Sequence, residues 1–174
     1  IDEVSVGEPG PGEVRIRMAR GGICGSDLHY YHEGRIGTII VKAPMVLGHE
    51  MSGTIERLGA DVTGLAVGDL VAINPSQPCG VCRYCNAGQQ VHCLNMRFYG
   101  SAMRFPHVNG AFQEAIVAKA SQCFVIPKDV TAGEAAMCEP FAVTLHAVNR
   151  AGGVFGKRVL VTGVGPIGAL AVIA

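Results

Sequence analysis

Cys79, Cys82, Cys85 and Cys93 are separated by two, two and seven residues. That spacing lets one short loop wrap four thiolates tetrahedrally around Zn²⁺, and a full set of four leaves no position for substrate, so the ion it implies is structural. Binding such an ion contributes on the order of 10 kcal/mol to ordering the segment that holds it. A second group of donors stands in Gly22-Ile23-Cys24-Gly25-Ser26-Asp27 and Gly48-His49-Glu50. Cys24 and His49 are ligand types that could converge on an open, second metal position. Taken singly, a cysteine and a histidine are equally a buried small side chain and a hydrogen-bonded core imidazole. A third feature, Gly163-Val164-Gly165-Pro166-Ile167-Gly168, follows the apolar run Val159-Leu160-Val161 and opens an apolar helix start. Glycines in that context let a backbone approach a pyrophosphate at a helix N-terminus. The residue that separates NAD from NADP is expected roughly 20 positions later, past Ala174.

These groups need elements to hold them. Val14, Ile16 and Met18 alternate with Arg15, Arg17 and Ala19, the period of a strand with one buried face. It leads into Gly21-Gly22. Val46-Leu47, the segment from Met51 to Leu58, Leu70 to Ile73, Ala111 to Val117 and Cys123 to Ile126 also read as extended. Short strands between Gly and Pro punctuation predict a small, partly open β-barrel. Across 75–110 the periodicity disappears into Cys, Pro, Gly, Arg and Asn, a lobe that needs a staple because it has no apolar core of its own. Thr131-Ala132-Gly133-Glu134 reads as a capping box, and Phe141 to Ala151 as a helix ended by Gly152-Gly153. The fold class expected is therefore mixed β and α/β. A barrel domain occupies 1–140 with its zinc lobe at about 75–110, and 141–174 begins a second domain.

Composition narrows the function classes. With 49% hydrophobic and 16% charged residues, the chain can bury a core and reads as a soluble protein. Fourteen basic residues balance fourteen acidic ones, so no net field favours nucleic acid or an anionic membrane. The run from Gly163 to Ala174 falls short of the roughly 20 apolar residues a bilayer requires. Seven cysteines, an odd count, together with no secretory leader, favour metal binding or catalysis over a disulfide framework. The expectation is a cytoplasmic protein represented by an excerpt whose ends both read as cut.

Gly48-His49-Glu50 with Gly53, Gly59 and Val62 at their offsets, Cys24 before it, the four-cysteine lobe after it and the Gly163, Gly165, Gly168 loop last together resemble the zinc-containing medium-chain alcohol and polyol dehydrogenase family. The resemblance covers nearly the whole chain. It implies a GroES-like barrel followed by the start of a Rossmann domain, one catalytic and one structural Zn²⁺, and NAD or NADP on Gly163, Gly165, Pro166, Ile167 and Gly168. It also implies a small sugar acid or polyol as substrate, and a homo-dimer or homo-tetramer at full length. Cys24 and His49 match the first catalytic ligands. At the third, Glu139 in Cys138-Glu139-Pro140 resembles the acidic residue of the polyol branch, in which Glu50 is also implicated at the metal. Cys138, one residue away, is the alternative.

By the same resemblance Ser26 relays a proton outward and Asp27 holds the His49 imidazole, although both equally suit the capping of a turn or helix after Gly25. Gly21 to Gly34, Lys42 to Glu50, Ile73 to Cys85 and Met96 to Gly110 are most similar to the sugar-acid branch. A substrate carboxylate asks for a cation, for which Arg97, Arg104 and Lys42 are candidates. Tyr30 and Phe98 are candidates to line the pocket. The competing reading is a zinc-stapled binding module without catalysis, and an open second metal position separates the two.

Overall fold

In the computed structural model, which describes residues 3 and 5–174, the alternation at Val14 and Ile16 forms strand β1 (Glu13–Gly22), with both side chains fully buried. Register shifts after Arg15 and Met18 bend β1, because an extra residue in one strand increases its local twist. It pairs antiparallel with β4 (Glu50–Leu58) on one side and β8 (Ala115–Lys119) on the other. β5 (Leu70–Ile73) and β9 (Cys123–Val125) complete a five-stranded sheet in the order β8-β1-β4-β5-β9. The two edge strands are joined only by the 3₁₀ turn Ala120–Gln122. The sheet must therefore curl until its edges meet at one corner, which makes the partly open barrel. Gln122 locks that corner by donating to the Asn74 and Ser76 carbonyls at 2.8 and 3.1 Å. Val14, Ile16, Met51, Ile55, Val71, Ile73 and Ile116 fill the interior.

Helix α1 (Gly25–Glu33) begins three residues after β1 ends and stops at Gly34, whose left-handed backbone closes it. A small hairpin of β2 (Arg35–Ile36) and β3 (Ile39–Ile40) follows. The lobe leaves the barrel through β6 (Ser76–Gln77) and returns through β7 (Arg97–Phe98), which pair antiparallel and form its neck; one short helix, α2 (Arg83–Asn86), lies inside it. The capping box at Thr131 and Glu134 opens α3 (Ala132–Ala136), which is tied to β4 by the Ser52 hydroxyl donating to the Ala132 carbonyl at 2.6 Å. α4 (Cys138–Arg150) and α5 (Pro166–Ile173) end the chain.

Four sequence expectations shift. Val46-Leu47 is not a strand; its backbone groups bond to Asn109, Gly110 and Phe112 in a loop. β8 starts at Ala115 rather than Ala111. α4 begins at Cys138, so Glu139 sits in its first turn rather than before it, and the helix runs across positions 140 and 141. Val159-Leu160-Val161 forms no ladder, with Val159 and Leu160 exposed. A strand needs a neighbour to bond to, and none lies beside it among the described residues.

Candidate metal centres and cofactor loop

In the lobe, the Sγ of Cys85 lies 3.6 Å from that of Cys82 and 4.0 Å from that of Cys79. All four sulfurs fall within 4.8 Å of one another. Zinc–sulfur bonds of about 2.3 Å in a tetrahedron separate thiolates by about 3.8 Å, so the donor set fits that ion. Local backbone supplies the charge compensation. The Cys79 N–H donates to Cys93 Sγ at 3.2 Å, and N–H groups of Cys85 and Leu94 bring the Cys82 thiol down to about 6. Burial pushes Cys85 up to about 12. Gathering thiols this closely, two of them buried, is an arrangement that a divalent cation relieves.

The second centre arises from strand register. β1 and β4 pair so that Gly22 faces Glu50, which brings Cys24, just beyond the end of β1, to His49, just before the start of β4. Cys24, His49 and Glu50 present one donor atom each within 4.8 Å of one another. The space for Glu50 comes from Gly22, since a Cβ there collides with the Glu50 carboxylate. Gly48 has a positive φ of 95° and a Phe112 ring carbon 2.5 Å from where its Cβ would stand; any other residue before His49 is strained on both counts.

Asp27, 2% exposed, organises the pair. One carboxylate oxygen accepts the Cys24 N–H and the other accepts the Gly48 N–H, both at 2.9 Å. The second oxygen lies 3.7 Å from His49 Nδ1, too far for a hydrogen bond. Asp27 thus caps α1 and clamps two donor-bearing segments together. Ser26 is half-buried beside it in the first turn. The Phe98 ring stands edge-on to the His49 ring at 5.4 Å. Glu139 is half-buried, and burial raises its carboxyl above the usual range; His49 opposes that shift, and the charges of Glu50 and Asp27 add to it. Cys138 is exposed, its thiol 4.0 Å from the Glu134 carbonyl of its own helix turn.

The remaining candidates are not among these donors. Tyr30 is buried and its hydroxyl accepts the Ala102 N–H at 3.3 Å. Arg97 donates to the Pro106 carbonyl at 3.0 Å and lines a recess with Gln77, His107 and Asn109. Arg104 donates to the Met96 and Leu94 carbonyls, fastening the lobe to the loop after β7. Lys42 contributes its backbone N–H to His107. At the other end of the chain, Gly163, Gly165, Pro166, Ile167 and Gly168 line one open recess at the start of α5, with Gly168 packed on the Gly163 carbonyl. Phe112 and Gly22 support the open centre and escaped the sequence reading; the Gly21-Gly22 pair at a strand end is the one signal that pointed to a crowded site.

Residues 10–128 match the alcohol dehydrogenase GroES-like domain, and the chain belongs to this family of zinc-dependent medium-chain dehydrogenases. Among curated relatives, L-idonate 5-dehydrogenase (NAD(P)(+)) of Escherichia coli K12 is 50% identical over 159 residues, covering 91% of this chain and 46% of the relative. The crystal structure of the L-idonate 5-dehydrogenase from the K-12 substrain MG1655 superimposes with a TM-score of 0.86 at 49% identity, over 93% of this chain and 46% of that one. Sorbitol dehydrogenase of Gallus gallus is 46% identical over 173 residues, covering 99% of this chain and 48% of its own. A zinc-binding dehydrogenase of Sinorhizobium meliloti bound to NADP has a TM-score of 0.79 at 34% identity, over 97% and 47% of the two chains. The chain spans about half the length of the relatives it matches.

Proposed function

We propose that the full-length protein is a zinc-dependent NAD(P) oxidoreductase that oxidises a secondary hydroxyl of a sugar acid, L-idonate first among them, to 5-dehydrogluconate. The observation that carries this reading is the Cys24, His49, Glu50 donor cluster, which supplies three protein ligands of mixed type instead of a closed tetrahedron. Three ligands leave a position for a substrate oxygen. Cys24, His49 and Glu50 would hold the ion, with Glu139 either taking the place of Glu50 or standing by as a charge against the cluster. When bound, zinc supplies Lewis acidity that favours loss of a hydroxyl proton.

A nicotinamide cofactor, when bound, would supply the hydride acceptor for the carbon whose hydroxyl loses that proton, so that two electrons leave the alcohol and a ketone remains. This chain's residues set the stage for both losses. Asp27 fixes Cys24 and Gly48, and through them the donors, while keeping negative charge beside His49. Ser26, half-buried in the first turn of α1, carries the proton toward solvent. Phe98 and Phe112 cover His49 and Gly48 and exclude water from one side. The Gly163 to Gly168 loop takes the cofactor pyrophosphate at the start of α5. The domain division at 140/141, dimeric or tetrameric assembly and a cytoplasmic location belong to the same proposal, by analogy with the family.

A second reading, oxidation of a neutral polyol such as sorbitol, has its own support in the 46% identity to the Gallus gallus enzyme. Arg97, Arg104 and Lys42 separate the two substrates, because only the sugar acid carries a carboxylate for a cation to hold. NAD(P)⁺-coupled turnover of L-idonate and of sorbitol by the full-length protein is expected to favour L-idonate at least tenfold in kcat/KM. Sorbitol favoured over L-idonate replaces the first reading with the second; turnover of neither leaves the binding-module reading.

A further inference from the structure

The chain just before His49 is irregular, yet it must hold that imidazole in place. Its backbone is bonded at Lys42 and from Val46 to Gly48 to one loop, the segment after β7. The Lys42 N–H donates to His107 Nε2 at 2.8 Å, and the Val46 N–H to Asn109 Oδ1 at 3.0 Å. The Gly110, Ala111 and Phe112 N–H groups donate to the Val46, Gly48 and Leu47 carbonyls at 2.7, 3.0 and 3.0 Å. A Cβ on Gly110 has no room, because the Gly48 carbonyl stands there. Only one titratable side chain takes part in this clasp, and its protonation state follows from its partners. His107 Nδ1 lies 2.9 Å from the Arg104 carbonyl, which can only accept, so Nδ1 carries the proton. The Lys42 N–H can only donate, so Nε2 is bare.

We infer that His107, with Asn109, is a positioning residue for the Cys24, His49, Glu50 centre, holding the Lys42–Gly48 segment through a neutral imidazole and releasing it when that imidazole takes a second proton. A proton on Nε2 faces the Lys42 N–H with another donor, and the bond is lost. Of the charged side chains, Arg97 lines the same recess as the ring, while Lys42 and Arg104 meet it through backbone atoms. The Phe105 ring stands edge-on at 5.4 Å. Among the described residues the histidines paired with carboxylates are His29 and His49. The clasp is therefore complete while the imidazole is neutral and is lost once both ring nitrogens carry protons. Its effect on turnover rests on the catalytic reading of the open centre; the clasp itself does not.

Amide hydrogen exchange of the full-length protein tests both parts. Rates at Lys42 and Val46 are measured at pH 8 and pH 5, corrected for intrinsic exchange and referred to the β4 amides, in wild type and in His107→Gln, whose side-chain oxygen accepts a hydrogen bond without titrating. Protection at Lys42 is expected to fall roughly fivefold to tenfold in wild type, the worth of one hydrogen bond, and to stay level in His107→Gln. Equal protection at the two pH values in wild type overturns the inference. So does an equal fall in His107→Gln, since that assigns the loosening to His49 and its metal. With a turned-over substrate, the acid limb of the wild-type kcat/KM profile is expected to flatten in His107→Gln. Absence of any turnover defeats the catalytic reading alone and leaves the exchange result to decide the clasp.

Discussion

The two donor clusters reach the same compactness, all atoms within 4.8 Å, by opposite routes. The lobe takes four identical ligands from a single stretch whose ends are 14 residues apart, Cys79 and Cys93. Its thiolates are steadied by backbone N–H groups of the same stretch. The open centre takes Cys24 from the end of one strand and His49 and Glu50 from the beginning of another. What holds it is not local: β1–β4 register, the Asp27 clamp, the Phe98 and Phe112 rings. A closed site needs only a chain that can wrap an ion. An open site must keep its ligands in place without the ion's fourth bond to do it, so the surrounding fold carries that burden.

That contrast can be broken from either end. Cys85→Ser removes a buried thiolate from the lobe and should have the largest effect. With on the order of 10 kcal/mol of metal binding at stake, the lobe is expected to lose its ion and become rapidly exchanging and protease-sensitive, while the open centre keeps its metal. Asp27→Asn acts on the other side. The amide keeps one acceptor and turns an N–H₂ toward either Cys24 N–H or Gly48 N–H, so metal affinity at the open centre should fall about 10-fold to 100-fold. Chelator competition measures this, and loss from the lobe instead would contradict the separation of the sites.

The smallest effect belongs to neither cluster. Thr131→Ala removes the N-cap of α3, and about 1 kcal/mol of stability is expected to go with it, read from denaturant midpoints with both metals retained. Hydrogen bonds from the Thr131 hydroxyl and backbone N–H hold the Glu134 carboxyl below its ordinary value. A carboxyl lowered in the folded state stabilises above its unfolded value of about 4.3 and loses that contribution as pH falls through the lower, folded value. Wild type should therefore lose more stability than Thr131→Ala on acidification below about pH 4.

Legibility follows the same division. The lobe was readable from spacing alone because its geometry is carried by its own few residues. Val14 and Ile16 announced β1 by alternation, and Thr131 with Glu134 announced α3 by capping chemistry. The open centre was readable only as separate fragments. Nothing local says that Gly22 will face Glu50, or that the two oxygens of Asp27 will hold Cys24 on one side and Gly48, 21 positions on from Asp27, on the other. Tyr30 illustrates the same limit from the other side: its residue type suits a pocket, and its hydroxyl is bonded to Ala102 in the interior. Val46-Leu47 looked like a strand because its residue types are extended-chain formers, but its partners lie in a loop that residue preferences do not reveal. Val159 to Val161 carries a strand's composition and, among the described residues, no neighbour to pair with.

Zinc content per full-length chain, in wild type and in Cys24→Ser, tests the two-centre architecture most directly. Two ions in wild type and one in Cys24→Ser, with the lobe's exchange protection unchanged, is the result that two independent centres predict. One ion in both proteins would contradict it, leaving the four-cysteine lobe as the only metal site and the Cys24, His49, Glu50 cluster without the role assigned to it.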